Sequence, residues 1–458
     1  MTVVRQALIH ITRLLAAASL AVCCTIASAS GEQLVKARLE REAGAPLSRT
    51  FAPTEYGGSA QNWAVVQDLR GVIYVGNTED GVLEFDGSRW RRIPVDNGGP
   101  VLSLAVDASG RVYVGGVGEV GYLAPDSEGR MRYVSLTERI AEADRDFADV
   151  FKTYATSDGV YFCTFRRIIR IAGDRVTVWN GAPALHFAFH VHGTIYVREV
   201  GKGLMRLSGA ELRPVAGGER FADEKIYVVL PWPSSATDAA LLIGTHAQGW
   251  FIYDGASFRP WRTQADALIK RGGLYDARWL ADGRLAAITL ENGAVVLDTH
   301  GRLLDHIDRR SGLSSNVAYG AFQDRQGGLW LPLDRGIARV DIATPLTYLA
   351  AASGIEGSTL AIRRHAGTLY AGTTQGLYRL RSSQQGPAYF ERVPGVRGET
   401  LGFLEHEGRL LIASREGVFE LRNGAAQRVW SGAQGASVLV HSAHDPQRVF
   451  IGKQNGLS

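Results

Sequence analysis

"SNVAYGAFQDRQGGLWLPLDRGIARVD" occupies Ser315 to Asp341. Two short apolar runs flank a D-x-x-G turn, Asp324 to Gly327, and a second turn carrying Gly336 leads into a third apolar run. Each run is of strand length, and no helical period interrupts them. An Asp that accepts from turn amides and a Gly that takes positive φ are what a tight reversal needs. The unit is therefore a string of antiparallel strands with short connections.

The same unit recurs along the chain. Its second strand reads "IYVGNT" at Ile73, "VYVGGV" at Val112, "VYFCTF" at Val160, "IYVREV" at Ile195 and "LLIGTH" at Leu241. It continues as "LAAITL" at Leu285, "LWLPLD" at Leu329, "LYAGTT" at Leu369, "LLIASR" at Leu410 and "VFIGKQ" at Val449. The spacing averages about 42 residues, the length of a four-stranded propeller blade. The turns carry Asp and Gly throughout, as at Asp68–Gly71, Asp107–Gly110, Asp158–Gly159 and Asp282–Gly283, which accounts for many of the 54 glycines. Asp86-Gly87, Asp254-Gly255 and Asn423-Gly424 are hairpin signals between the third and fourth strands.

Ten such units exceed one ring, because propellers close with four to eight blades. "ARVDIATPLTYLAAASGIEG" (Ala338–Gly357) interrupts the series after the seventh. The expected fold is all-β. Residues 60–349 form a seven-bladed β-propeller of four-stranded antiparallel blades, and residues 350–458 supply two blades and part of a third of a second propeller. Residues 30–59 read as a leader outside both.

The N-terminus has the pattern of a secretory signal peptide. Arg5 and Arg13 precede an apolar stretch from Leu14 to Ile26, and Ala27-Ser28-Ala29 is a cleavage site. Residues 1–29 are thus expected to be removed, with export to the periplasm. Cys23 and Cys24 leave with them, so Cys163 has no partner for an intramolecular disulfide. The net charge of +4 falls to +2 on losing Arg5 and Arg13, and basic residues are scattered as pairs. That distribution excludes a nucleic-acid stripe.

Catalytic and cofactor motifs are missing from the sequence: G-x-S-x-G, H-E-x-x-H and a phosphate-cradling G-x-x-x-x-G-K-[ST] do not occur. "HFAFHVH" sets His186, His190 and His192 on one strand face, without an acid or Cys in the run, so a strand is favoured over a metal site. Cys163 reads as a small buried hydrophobe. The turns between second and third strands differ from blade to blade and carry long polar side chains. Asn77, Glu119, Arg166, His246, Glu291, Asp334 and Arg335 are the candidate ligand-binding residues, converging on one mouth of the ring.

"GLSSNVAYGAFQDRQGGLWLPLDRGIARVD" (Gly312–Asp341) resembles the two-component regulator propeller repeat. "AQNWAVVQDLRGVIYVGNTEDGVLEFDGSRW" (Ala60–Trp90) is similar to the first blade of the same sensors, and "PLTYLAAASGIEGSTLAIRRHAGTLYAGTTQGLYRL" (Pro345–Leu380) to their crossing into a second ring. Blades 1, 2, 7 and 8 carry the resemblance well and blades 3 to 6 weakly. It implies a periplasmic sensor whose two propellers precede an immunoglobulin-like domain with a triple-tyrosine motif, a transmembrane helix and a cytoplasmic kinase, cyclase or transcription-regulator module. On that reading the chain is the N-terminal piece of a longer protein. It is not itself an enzyme, needs no cofactor, binds a small molecule or oligosaccharide and no nucleic acid, reaches the membrane only through a later segment, and could pair with a second copy. A secreted carbohydrate-binding or carbohydrate-active propeller, or a protein-interaction propeller, would use the same scaffold.

Overall fold

The Asp-Gly turns form as their chemistry requires. In the turn after Gln67, the Asp68 carboxylate accepts from the backbone N–H groups of Arg70 (2.8 Å) and Val72 (3.0 Å), and Gly71 sits at φ +92°. Asp107 holds Ser109 (2.9 Å) and Arg111 (3.0 Å) in the same way. The rule also serves the turns between third and fourth strands at Asp126 and Asp298, which accept from Arg130 (2.9 Å) and Arg302 (2.8 Å). Every such turn folds one strand back on the last, so consecutive strands pair antiparallel.

The computed structural model describes residues 42–182, 184–233, 239–349, 351–383, 387–432 and 435–458. The signal-peptide reading for residues 1–29, and residues 30–41 of the leader, lie outside them. The chain divides into two compact units, Pro46–Thr344 and Pro345–Ser458, the latter together with the chain up to Ala45.

Among the described residues, the first unit holds seven four-stranded antiparallel sheets. The first strands of blades 1 to 7 are Asn62–Gln67, Val101–Val106, Lys152–Thr156, Leu185–Val191, Ile226–Pro231, Leu274–Trp279 and Phe322–Gln323. They are followed by second strands at Ile73–Asn77, Val112–Gly116, Gly159–Cys163, Thr194–Glu199, Leu241–Thr245, Leu285–Thr289 and Leu329–Pro332. The repeat anchors read from sequence fall at, or one residue inside, the start of each of these. The apolar core is divided among the blade interfaces, with one cluster between each neighbouring pair. Such packing buries both faces of each sheet. Cys163 belongs to the cluster between blades 3 and 4, and burial pushes its thiol up to about 12, which keeps it protonated and inert.

The ring closes in a way the sequence did not announce. The fourth strand of blade 7 is Ser48–Phe51, paired antiparallel to Ile337–Val340 with Phe51 opposite Ile337. Residues 46–59 therefore belong to the ring, whereas the sequence reading had assigned them to a leader. Phe51 stacks on Trp330 of blade 7 (5.7 Å between ring centres) and meets Phe85 and Trp90 of blade 1 edge-on, each at 5.3 Å. Blade 1 is tied to blade 7 by Asn62 N–H to Leu333 O (2.9 Å) and Gly336 N–H to Ala60 O (2.9 Å).

The second unit begins at Pro345, slightly earlier than the boundary after residue 349 read from sequence. It has two four-stranded sheets, starting at Thr359 and Thr400, and a three-stranded sheet from Val438 to Leu457. Residues 42–45 of the expected leader go with it: Gly44 N–H donates to Thr347 Oγ1 (2.9 Å) and Glu42 pairs with Arg364 (2.6 Å).

Candidate functional site

The first strands of all seven blades line a central channel with a cavity of about 580 Å³. Alternation along a regular strand would send every second side chain into it. A repeated irregularity alters this. The first strands of blades 1, 2, 5 and 6 each slip register by one residue near their start, at Trp63, Leu102, Tyr227 and Tyr275, and blade 4 does so across His186 and Phe187. A β-bulge leaves its extra residue unpaired and re-aims its side chain. Here these residues face the channel, joined at the same level by Phe151 of blade 3 and Tyr319 of blade 7.

The result is an aromatic collar. Successive ring centres are 4.4 Å apart for Trp63–Tyr319, 5.7 Å for Tyr319–Tyr275, 5.6 Å for Tyr275–Tyr227, 5.3 Å for Tyr227–Phe187 and 5.4 Å for Phe187–Phe151. Only Leu102 of blade 2 breaks the aromatic series. These separations suit edge-to-face and offset packing. Phe165, from a turn of blade 3, extends the collar outward by stacking on Phe151 at 4.4 Å. Gln61 donates to the Tyr319 hydroxyl (2.8 Å) and Trp63 donates to Thr78 Oγ1 (2.9 Å), which fixes those two rings. Among the described residues, the Tyr227 and Tyr275 hydroxyls have no hydrogen-bond partner. Burial raises both phenols above their ordinary pKa, so they stay neutral donors.

Deeper in the channel, Lys152 of blade 3 reaches Asp276 of blade 6 at 3.3 Å. Lys152 also lies over the Phe187 ring at 5.6 Å. Arg278 follows on the same strand as Asp276, its guanidinium over Phe322 of blade 7 at 5.2 Å. Desolvation by the surrounding walls lowers the Arg278 pKa, with Asp276 and then Tyr154 opposing.

The collar lies at the end of the channel where each first strand begins, which is the face that carries the turns between second and third strands. That is the face singled out from sequence, but its seven named side chains have different lives. Asn77 is fully buried: its amide donates to Ser59 O (2.8 Å) and Asn62 Oδ1 (2.9 Å) and its Oδ1 accepts from the Ser59 hydroxyl (2.6 Å). Glu119 is also buried, accepting from Tyr133 (2.9 Å) and Thr137 (2.6 Å). Both are committed to holding their turns, so they are removed from the candidate ligand set. Arg166 pairs with Asp146 (2.9 Å) in the open, and Glu291 and Arg335 are exposed. His246 stands 5.9 Å from the Tyr227 ring and Asp334 is close enough to raise the Tyr319 pKa, so these two border the collar. One Asp334 carboxylate oxygen is buried without a partner among the described residues.

The collar itself escaped sequence reading. Its signal was an aromatic at or just before the start of most inner strands, as in "NW", "IY", "LY" and "AY", which looks like ordinary core until the bulges are known.

The three histidines of blade 4 do not converge. His186 stacks on Phe165 and Phe187 at the collar, His190 is beside Tyr154, and His192 sits in the turn at the opposite end at φ +48°. His186 and His192 are six residues apart in extended chain, roughly 20 Å, too far to share an ion. Burial lowers the His186 pKa to about 4, so its ring is neutral. Among the described residues, no helix is long and apolar enough to cross a membrane.

No family model matches this sequence, and no curated protein does. Solved structures do. The extracellular domain assigned to a hybrid two-component system, BT3049 from B. thetaiotaomicron, superposes with a TM-score of 0.58 at 16% identity, over 90% of this chain and 64% of that one. The corresponding domain of BT4673 from B. thetaiotaomicron gives 0.51 at 16% identity, over 89% of this chain and 57% of that one. The chain thus spans less than two thirds of the length of either structure. The chain is a multi-bladed β-propeller, similar in fold to these extracellular domains.

Proposed function

We propose that this chain is the sensory propeller region of an exported signalling protein, and that it captures a small molecule or carbohydrate without transforming it. The observation that carries the reading is the aromatic collar. Aromatic residues from six of the seven blades ring one mouth of the channel, four of them placed there by a bulge, an arrangement that ring closure alone does not need. A concave, mostly apolar site with a few polar groups is the general form of a ligand pocket. Two unpartnered phenol hydroxyls, His246 and Asp334 supply the polar groups. The likeness to extracellular sensor domains supports the periplasmic setting, and the signal-like residues 1–29 supply a route there. Membrane attachment and an output module would come from a segment beyond this sequence.

The test is a melting-temperature screen of the purified chain against small acids, amines and oligosaccharides. A ligand that binds the folded ring alone raises its melting temperature, by about 2.7 kcal/mol of stabilisation at 100 times Kd. That rise should disappear in Tyr275→Ala and Tyr227→Ala, which remove collar rings, and persist in Arg166→Ala. A ligand whose effect survives both collar substitutions binds elsewhere and defeats the assignment. Turnover of a hit compound by the chain would instead support the reading of a carbohydrate-active propeller.

A further inference from the structure

The channel floor carries more positive charge than it neutralises. Its charged lining residues are Lys152, Asp276 and Arg278. Lys152 and Asp276 satisfy each other across the channel at 3.3 Å. Arg278 makes no ion pair or hydrogen bond among the described residues; its guanidinium lies over the face of Phe322, with Asp276 and Tyr154 as electrostatic neighbours. Five donors are left unspent on a guanidinium that lines the channel and is open to solvent there, and such a group favours a carboxylate, which it can meet with two parallel hydrogen bonds. At the rim, the half-buried Asp334 carboxylate stands beside Tyr319.

We propose that the channel binds an aryl alkanoate, with its ring inside the collar and its carboxylate on Arg278. This rests on the collar being the ligand site and adds the ligand's class and orientation. Asp334 disfavours a carboxylate beside Tyr319 and the Arg278 guanidinium attracts one, so the bound acid end points inward. Tyr275 and Arg278 are three residues apart on one strand, roughly 10 Å along it. A ring and a carboxylate separated by two or three carbons, with the reach of the arginine side chain, span that distance, whereas a carboxylate attached directly to the ring falls short. A neutral ligand of the same shape would leave the guanidinium uncompensated.

Calorimetric titration of the purified chain with 3-phenylpropanoate, its neutral amide and benzoate tests this. The acid should bind, and the amide and benzoate should each bind at least ~10-fold more weakly, the loss expected for one charge-assisted contact. Arg278→Gln should weaken the acid by a similar factor and leave the amide unchanged, and Arg278→Lys should restore part of the affinity. The melting temperature of each variant, unchanged, shows that the ring is intact. Equal affinity for acid and amide, or indifference to Arg278→Gln, overturns the proposal. Binding of cellobiose that is abolished by Tyr275→Ala but indifferent to Arg278→Gln overturns it too, while leaving the collar as the sensing site. Failure of 3-phenylpropanoate and cellobiose alike to bind the wild-type chain counts against both.

Discussion

Phe51→Ala is expected to destabilise the seven-bladed unit by about 3–5 kcal/mol, the usual cost of deleting a buried Phe side chain. Phe51 is 2% exposed and sits where three aromatic rings from two blades meet. Its removal opens a cavity at the one interface that converts an open array into a ring. Urea denaturation followed by tryptophan fluorescence reads the effect, since Trp90 and Trp330 both touch the site. Leu69→Ala, at a residue 57% exposed, is the control and should change stability by less than about 0.5 kcal/mol. Equal denaturation midpoints for the two variants would mean that the N-terminal strand does not hold the ring shut.

Asp324→Ala should cost roughly 1–3 kcal/mol, because it leaves the buried Trp330 indole N–H without its acceptor and takes from the partly exposed Arg339 its nearer acid. The Asp324 carboxylate accepts from Gly328 N–H (2.8 Å), the Trp330 indole N–H (2.8 Å) and Arg339 Nε (2.7 Å). Alanine strands the indole donor and leaves Arg339 only Asp341 at 3.7 Å; asparagine, which keeps an acceptor in place, should cost less. Desolvation works against ionisation here, but the bonds from Arg339, Trp330 and Gly328 outweigh it and hold the carboxyl below its ordinary pKa. The folded state thus gains from this group at pH values above the unfolded carboxyl's pKa of about 4 and loses that gain as pH falls through the lower folded value. Wild-type stability should therefore drop more steeply on acidification than that of Asp324→Asn, and parallel curves would remove the carboxylate from the account.

What the sequence made legible follows from how locally each feature is encoded. The second strands were found to within a residue at Ile73, Val112, Leu285 and Leu329 because a β-branched or Leu start, a Gly turn and an Asp-Gly reversal lie within a few positions of one another. Ser48–Phe51 was missed because its four residues carry no turn signal and their partner, Ile337–Val340, is at the far end of the ring. Nothing local marks a strand whose pairing is entirely long-range. The turns between second and third strands were placed at the collar's end of the channel by topology alone, since connections alternate between the two ends. Its side chains were misjudged at Asn77 and Glu119 because a polar residue that holds a turn and one that awaits a ligand look alike in sequence. The collar was invisible for a different reason: a bulge depends on hydrogen-bond register between two strands, which one strand's pattern does not contain.

The N-terminal strand also imposes an order on synthesis. Ser48–Phe51 leaves the ribosome before any blade exists, and its place in the sheet appears only when Ile337–Val340 has been made. Blades 1 to 6 can dock on one another as they emerge, yet the seventh stays one strand short until the chain's start returns to it. Closing so long a loop costs more entropy than joining neighbours. During that interval Phe51 and the edge of blade 7 are open to any passing strand or apolar surface, so a nascent ring is at greatest risk of misassembly in its final step, when nearly all of its structure is already in place.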